Sequence, residues 1–105
     1  MIPGVKINLG GDEYIVPPLN FRQLEKHSKL LDELPDVLAA GEVKKQWQII
    51  LSLALAALSR NYPDLTLEKL KDIIDLGNLA VLTEAVMGQA GFAKSGELTP
   101  GQAQS

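Results

Sequence analysis

Residues Val5–Lys26 read VKINLGGDEYIVPPLNFRQLEK, and this stretch decides the start of the fold. Val5, Ile7 and Leu9 alternate with Lys6 and Asn8; beyond Gly10-Gly11-Asp12, Tyr14 and Val16 flank Ile15. Strand side chains alternate between faces, and glycine reaches the positive φ of a tight turn, so the pattern predicts a β-hairpin. Pro17-Pro18 closes it, because proline has no N–H for a ladder. A helix follows, with Asn20 as N-cap and Gln23 three residues on as a capping-box partner. Phe21, Leu24, Ser28 and Leu31 share one face of it, widened by Leu30 and Leu34, while Glu25 and Lys29 form an outer i,i+4 pair. Pro35 predicts its end. Asp36–Glu42 then reads as a connector, with room for a short helical turn at Val37–Ala39.

A second long helix is expected from Val43 to Arg60. Its middle, WQIILSLALAAL, is apolar nearly all round, yet these 12 residues fall short of the roughly 20 that a bilayer span requires. A helix without a polar face must be covered on all sides. The plainer reading is a central core helix; the other has part of it covered by a second subunit or a partner. Asn61-Tyr62-Pro63-Asp64 reads as a turn. Thr66 should cap a short helix, Leu67–Asp75, with Leu67, Leu70, Ile73 and Ile74 inward and Glu68, Lys69, Lys71 and Asp72 in water. Gly77 should end that helix and Asn78 cap the next, Leu79 to about Gln89. From Gly91, FAKSGELTPGQAQS offers little to bury. The expected fold is mainly α: a short N-terminal β-hairpin, then a compact domain of three to five helices, four on this count. Residues 1–90 form that single domain and 91–105 a flexible tail.

The chain has 105 residues, enough for one core with little to spare. Hydrophobic residues make up 46% of it and the mean hydropathy is +0.06, which is not that of a membrane protein. With no cysteine there is no disulfide, thiolate nucleophile or cysteine-held metal. A net charge of -3 does not steer the domain toward nucleic acid or an anionic membrane. MIPGVK lacks the basic-then-apolar pattern of a signal peptide, so the expected location is the cytoplasm.

No catalytic or cofactor motif emerges. His27 has no converging partner at helical spacing and reads as a solvated surface histidine. Asp12-Glu13 fits a polar turn better than a cation site, which needs several oxygen ligands from a structured loop. Gly10-Gly11 lacks the lysine and the strand-loop-helix setting of a phosphate loop. Ser28, Ser52 and Ser59 have neither a base nor a nucleophile elbow. The segment LEKLKDIIDLGNLAVLTEAV has a helix-turn-helix outline. Its second helix, however, offers no lysine or arginine, and Glu84 would face phosphates. A non-enzymatic binding module without metal, cofactor or nucleic acid is the expectation.

The hairpin entry carries a family likeness. Lys6, Ile7, Leu9, Gly10, Gly11, Glu13, Tyr14, Val16, Pro17, Pro18 and Leu19, then Arg22, Gln23 and Leu24, resemble the opening of the small tail assembly chaperones of long-tailed bacteriophages and prophages. NYPDLTLEKLKDIID, a helix stop and restart after an apolar helix, is also similar to that family's pattern. The likeness runs in outline from Val5 to Val86 and is distinctive in the hairpin. It implies a mostly helical, non-enzymatic assembly factor of the bacterial cytoplasm, absent from the finished virion. Its implied partners are the tape-measure protein, whose apolar helices it keeps soluble, and the tail-tube subunits it helps recruit. Many members have a longer form made by translational frameshifting, which the polar tail Gly91–Ser105 would suit.

A chaperone for an apolar helix needs exposed or exchangeable apolar surface, which a homo-oligomer can hide until the client arrives. The residues expected to supply it are Trp47, Ile50, Leu51, Ala54 and Leu58, with Met87 of the last helix; ordinary core is the competing reading for each. Two other classes stay open: a structural minor tail or head-tail completion protein, and a small helical regulatory module.

Overall fold

The computed structural model describes residues 1–89; the expected tail, 91–105, lies outside the described residues. The architecture is mainly α with an N-terminal hairpin: β1 Val5–Leu9 and β2 Asp12–Val16, then α1 Phe21–Lys26, α2 Ser28–Ala40, α3 Val43–Leu58, α4 Leu67–Ile73 and α5 Leu76–Gln89. The strands pair antiparallel with Ile7 opposite Tyr14 and Leu9 opposite Asp12. Gly10 and Gly11 alone make the turn, with φ of 61° and 90°, the two positive values that a two-residue type I′ hairpin needs. Asp12 is therefore the first residue of β2 and not part of the turn. Gly10 also lies against α4, where an added Cβ would sit 3.0 Å from the Ile73 Cβ.

α3 is the central element. Ile49, Ile50, Leu53, Ala54, Ala57 and Leu58 are buried along it. Ile7, Leu9 and Val16 come down from the hairpin, Leu34 and Val37 from α2, Leu70 from α4, and Leu82, Ala85, Val86 and Met87 from α5. α3 packs under β2 and α5 under β1, so the helix layer follows the order of the strands above it.

The capping box at Asn20 forms as its sequence suggests. Asn20 Oδ1 accepts the Gln23 N–H at 2.9 Å and Gln23 Oε1 accepts the Asn20 N–H at 3.1 Å. Beyond that point the expected single helix breaks. His27, at φ −105° and ψ 15°, separates α1 from α2 and shifts the helical phase. Phe21 and Ser28, expected on the inner face, are exposed, Phe21 by 84%. The break also falls between Glu25 and Lys29; among the described residues the ion pair formed is instead Lys71–Glu68 on α4.

Pro35 does not end the helix but lies inside α2. An interior proline costs about 3 kcal/mol through the lost N–H and the clash with the preceding turn. Here its ring is exposed, so the carbonyl it leaves unpaired, that of Leu31, lies where water can replace the bond. Leu34 and Val37 are buried on either side of it, and anchoring both requires the helix to continue. At about 1.5–3 kcal/mol per buried aliphatic side chain, their burial offsets the proline. The supposed connector is thus helix to Ala40. It ends at Gly41, whose left-handed φ of 70° lets the Glu42 N–H reach the Val37 carbonyl.

Candidate functional site

The two ends of α3 make different surfaces. After its C-terminus, three consecutive side chains hold the hairpin. Arg60 donates to the Pro18 carbonyl, and Asn61 Oδ1 accepts the Ile2 N–H at 2.7 Å while its Nδ2 donates to the Ile2 carbonyl at 2.9 Å. Asn61 Nδ2 also reaches the Ile15 carbonyl at 3.3 Å, and the Tyr62 hydroxyl accepts the Ile15 N–H at 2.8 Å. The Tyr62 ring meets Tyr14 edge to face, with centroids 5.2 Å apart. Gly4 permits the N-terminal segment to pass this closely, since a Cβ there would fall 2.0 Å from the Val16 carbonyl oxygen. The segment taken from sequence as a simple turn is therefore a clasp on the outer edge of β2.

At the N-terminal end of α3, Trp47 and Leu51 face the junction of α4 and α5. With Ile74, Leu76 and Leu79 they line an open apolar groove of about 240 Å³, flanked by Lys71 and Asp75. The junction is fixed by a second capping box, in which Asp75 Oδ1 accepts the Asn78 N–H and Asn78 Oδ1 accepts the Asp75 N–H, both at 2.9 Å. Asn78 Nδ2 also donates to the Ile73 carbonyl at 3.0 Å, finishing α4 with the side chain that starts α5. This corrects the expected boundaries. Asp75, not Asn78, is the N-cap; α4 stops at Ile73; and Gly77 lies in the first turn of α5 without positive φ. Leu76 takes the first helical position and stands 80% exposed beside Trp47, itself 39% exposed.

Of the six residues expected to form a partner surface, this groove contains Trp47 and Leu51. Ile50, Ala54, Leu58 and Met87 are buried in the chain's own core and are not presented at the surface. The cause is helical phase. Ile50, Ala54 and Leu58 turn toward the face that α2, α4, α5 and the hairpin enclose, while Leu51 is angled toward the rim. Sequence reading missed Ile74, Leu76 and Leu79. The available signal was Asp75 three residues before Asn78, a cap that places the leucine between them on a helix's first exposed turn.

The groove's volume is below the 300–1,000 Å³ of pockets that enclose small molecules, and it suits a few protruding apolar side chains better. His27 lies elsewhere, in a separate depression with Gln23, Ser52, Leu55, Ala56 and Ser59. Partial burial, reinforced by the neighbouring Lys26 charge, lowers its pKa below the usual 6.5. Gln23 crosses that depression, donating from Nε2 to the Ala56 carbonyl at 2.7 Å, so the capping residue also ties α1 to α3. Among the described residues no three His, Cys, Asp or Glu side chains are grouped to hold a metal ion, and no helix is long and apolar enough to cross a membrane. No protein-family model matches the chain, and no curated protein or solved structure matches it.

Proposed function

We propose that the chain is a non-enzymatic tail assembly chaperone of a long-tailed phage or prophage, binding an apolar helical segment of the tape-measure protein in the host cytoplasm. The observation that carries the reading is the apolar groove at Trp47, Leu51, Ile74, Leu76 and Leu79, which α3, α4 and α5 form together and leave open beside a packed core. An amphipathic helix docks by setting residues spaced i, i+3 and i+4 into such a groove. The hairpin likeness at Lys6–Leu19 supports the family, and the groove supplies a place for the client. Recruitment of tail-tube subunits would follow from the same resemblance.

Trp47 is the chain's one tryptophan, so its fluorescence reports on the groove directly. Titrating the full chain with overlapping tape-measure segments should shift Trp47 emission to the blue for an apolar helical segment. Leu76→Glu should abolish the shift while the fold persists. Failure of every segment to bind, or equal binding by the Leu76→Glu chain, would count against the assignment. Recovery of the chain as a stoichiometric component of purified virions would favour a structural tail protein instead.

A further inference from the structure

The hairpin has two outer edges, and the fold treats them differently. Because Gly10-Gly11 is a two-residue turn, Leu9 and Asp12 exchange ladder bonds, and so do the pairs Ile7–Tyr14 and Val5–Val16. Lys6, Asn8, Glu13 and Ile15 therefore direct their backbone groups away from the ladder. On the β2 side, the Ile15 N–H and C=O are taken up by Tyr62 and Asn61. On the β1 side nothing in the described structure plays that part: the backbone groups of Lys6 and Asn8 meet no partner, and both residues are exposed. An uncovered edge is a template for another strand.

We propose that a second copy of this chain pairs with that edge, β1 against β1 in antiparallel register about Ile7. The register follows from the residues. With Ile7 opposite its own counterpart, Lys6 of each copy lies opposite Asn8 of the other, and both such pairs join outward-directed residues, which exchange two hydrogen bonds each. The register shifted to place Lys6 opposite Lys6 would oppose like charges and leave Asn8 beyond the partner's strand. On the other face, Val5 of one copy meets Leu9 of the next, so the apolar stripe Val5-Ile7-Leu9 continues across four strands.

The layer beneath supports the same contact. α5 packs under β1 and α3 under β2, so α5 is the helix nearer the free edge of β1. That helix carries Ala80 and Val81 exposed, Val81 by 50%, and among its described side chains Glu84 is the charged one. Edge pairing brings this weakly charged side toward its copy, adding apolar burial to the backbone bonds. The association is separate from the client groove and does not depend on the chaperone reading.

Sedimentation velocity of the full chain over a concentration series tests the pairing, alongside amide exchange of β1. A mass twice that of the monomer is expected at high concentration, with the Lys6 and Asn8 amides exchanging more slowly there than on dilution. Lys6→Pro removes an outward donor and no β1–β2 bond, and should return the chain to monomer with its helical circular dichroism intact. A wild-type chain monomeric at every concentration overturns the proposal, as does a dimer that survives in folded Lys6→Pro. If that variant does not fold, exchange decides: unchanged Lys6 and Asn8 amides in the dimer overturn it, and protected ones support it.

Discussion

The clasp after α3 and the groove before it contrast in how their polar groups are used. At the clasp, Arg60, Asn61 and Tyr62 give their side-chain polar atoms to the backbone of Ile2, Ile15 and Pro18, closing the N-terminal segment and the outer edge of β2. At the groove, the capping atoms of Asp75 and Asn78 turn back on their own junction, and Leu76 beside them is left in solvent. A domain of this size has little core to spare, and a leucine held outward by a rigid cap adds nothing to that core. The clasp is thus structural in every bond it makes, whereas the groove leaves apolar side chains uncovered.

Four substitutions would sharpen or break that contrast. Asn61→Leu has the largest expected effect on stability: it keeps the branched shape but strips partners from the Ile2 amide and carbonyl and the Ile15 carbonyl. The cost is about 2–3 kcal/mol, lowering Tm on the order of 10 °C in a thermal melt. Gly10→Ala should cost about 1–2 kcal/mol, since a Cβ at positive φ is strained and this one also presses on Ile73. Denaturant unfolding should show a lower midpoint with an unchanged m-value. Leu76→Glu should change stability by no more than about 0.5 kcal/mol, as expected for a solvent-facing residue. A loss comparable to Asn61→Leu would show that the groove is core and end the contrast.

The smallest effect concerns His27. Its folded pKa lies below the unfolded value, so the native state binds the proton less readily than the unfolded chain. Stability from this group is complete above about pH 6.5 and declines as pH falls from there toward the lowered folded value. The melting temperature of the wild type should therefore fall slightly more between pH 7 and pH 5 than that of His27→Gln. Parallel profiles would show that His27 is as well solvated in the folded chain as in the unfolded one.

Local signals were the legible ones. The alternation through Val5–Leu9, the glycine pair, the Asn20–Gln23 box and the Thr66 cap each act within a few residues, and each forms as its residues suggest. Pro35 misled because its local cost is outweighed by the burial of Leu34 and Val37 against α3, a contact the local sequence does not display. At Gly77 the error was one of competing caps: glycine there suggested a helix end, but the reciprocal Asp75–Asn78 bonds set the boundary two residues earlier. Of the expected partner surface, Trp47 and Leu51 reach the groove. Periodicity alone could not separate them from Ile50, Ala54 and Leu58 on a helix apolar all round.

By itself the sequence determined the class of fold, the hairpin and its glycine turn, the start of α3 at Val43, and the helix starts at Asn20 and Thr66. These rest on backbone sterics and on hydrogen bonds between near neighbours. Tertiary structure decided which apolar residues are core, that Asn61 and Tyr62 cover one edge of the hairpin, and that Leu76 stands in solvent beside Trp47. Those outcomes depend on which helix faces meet. Where a helix such as α3 has more apolar residues than one face can bury, only packing makes that selection.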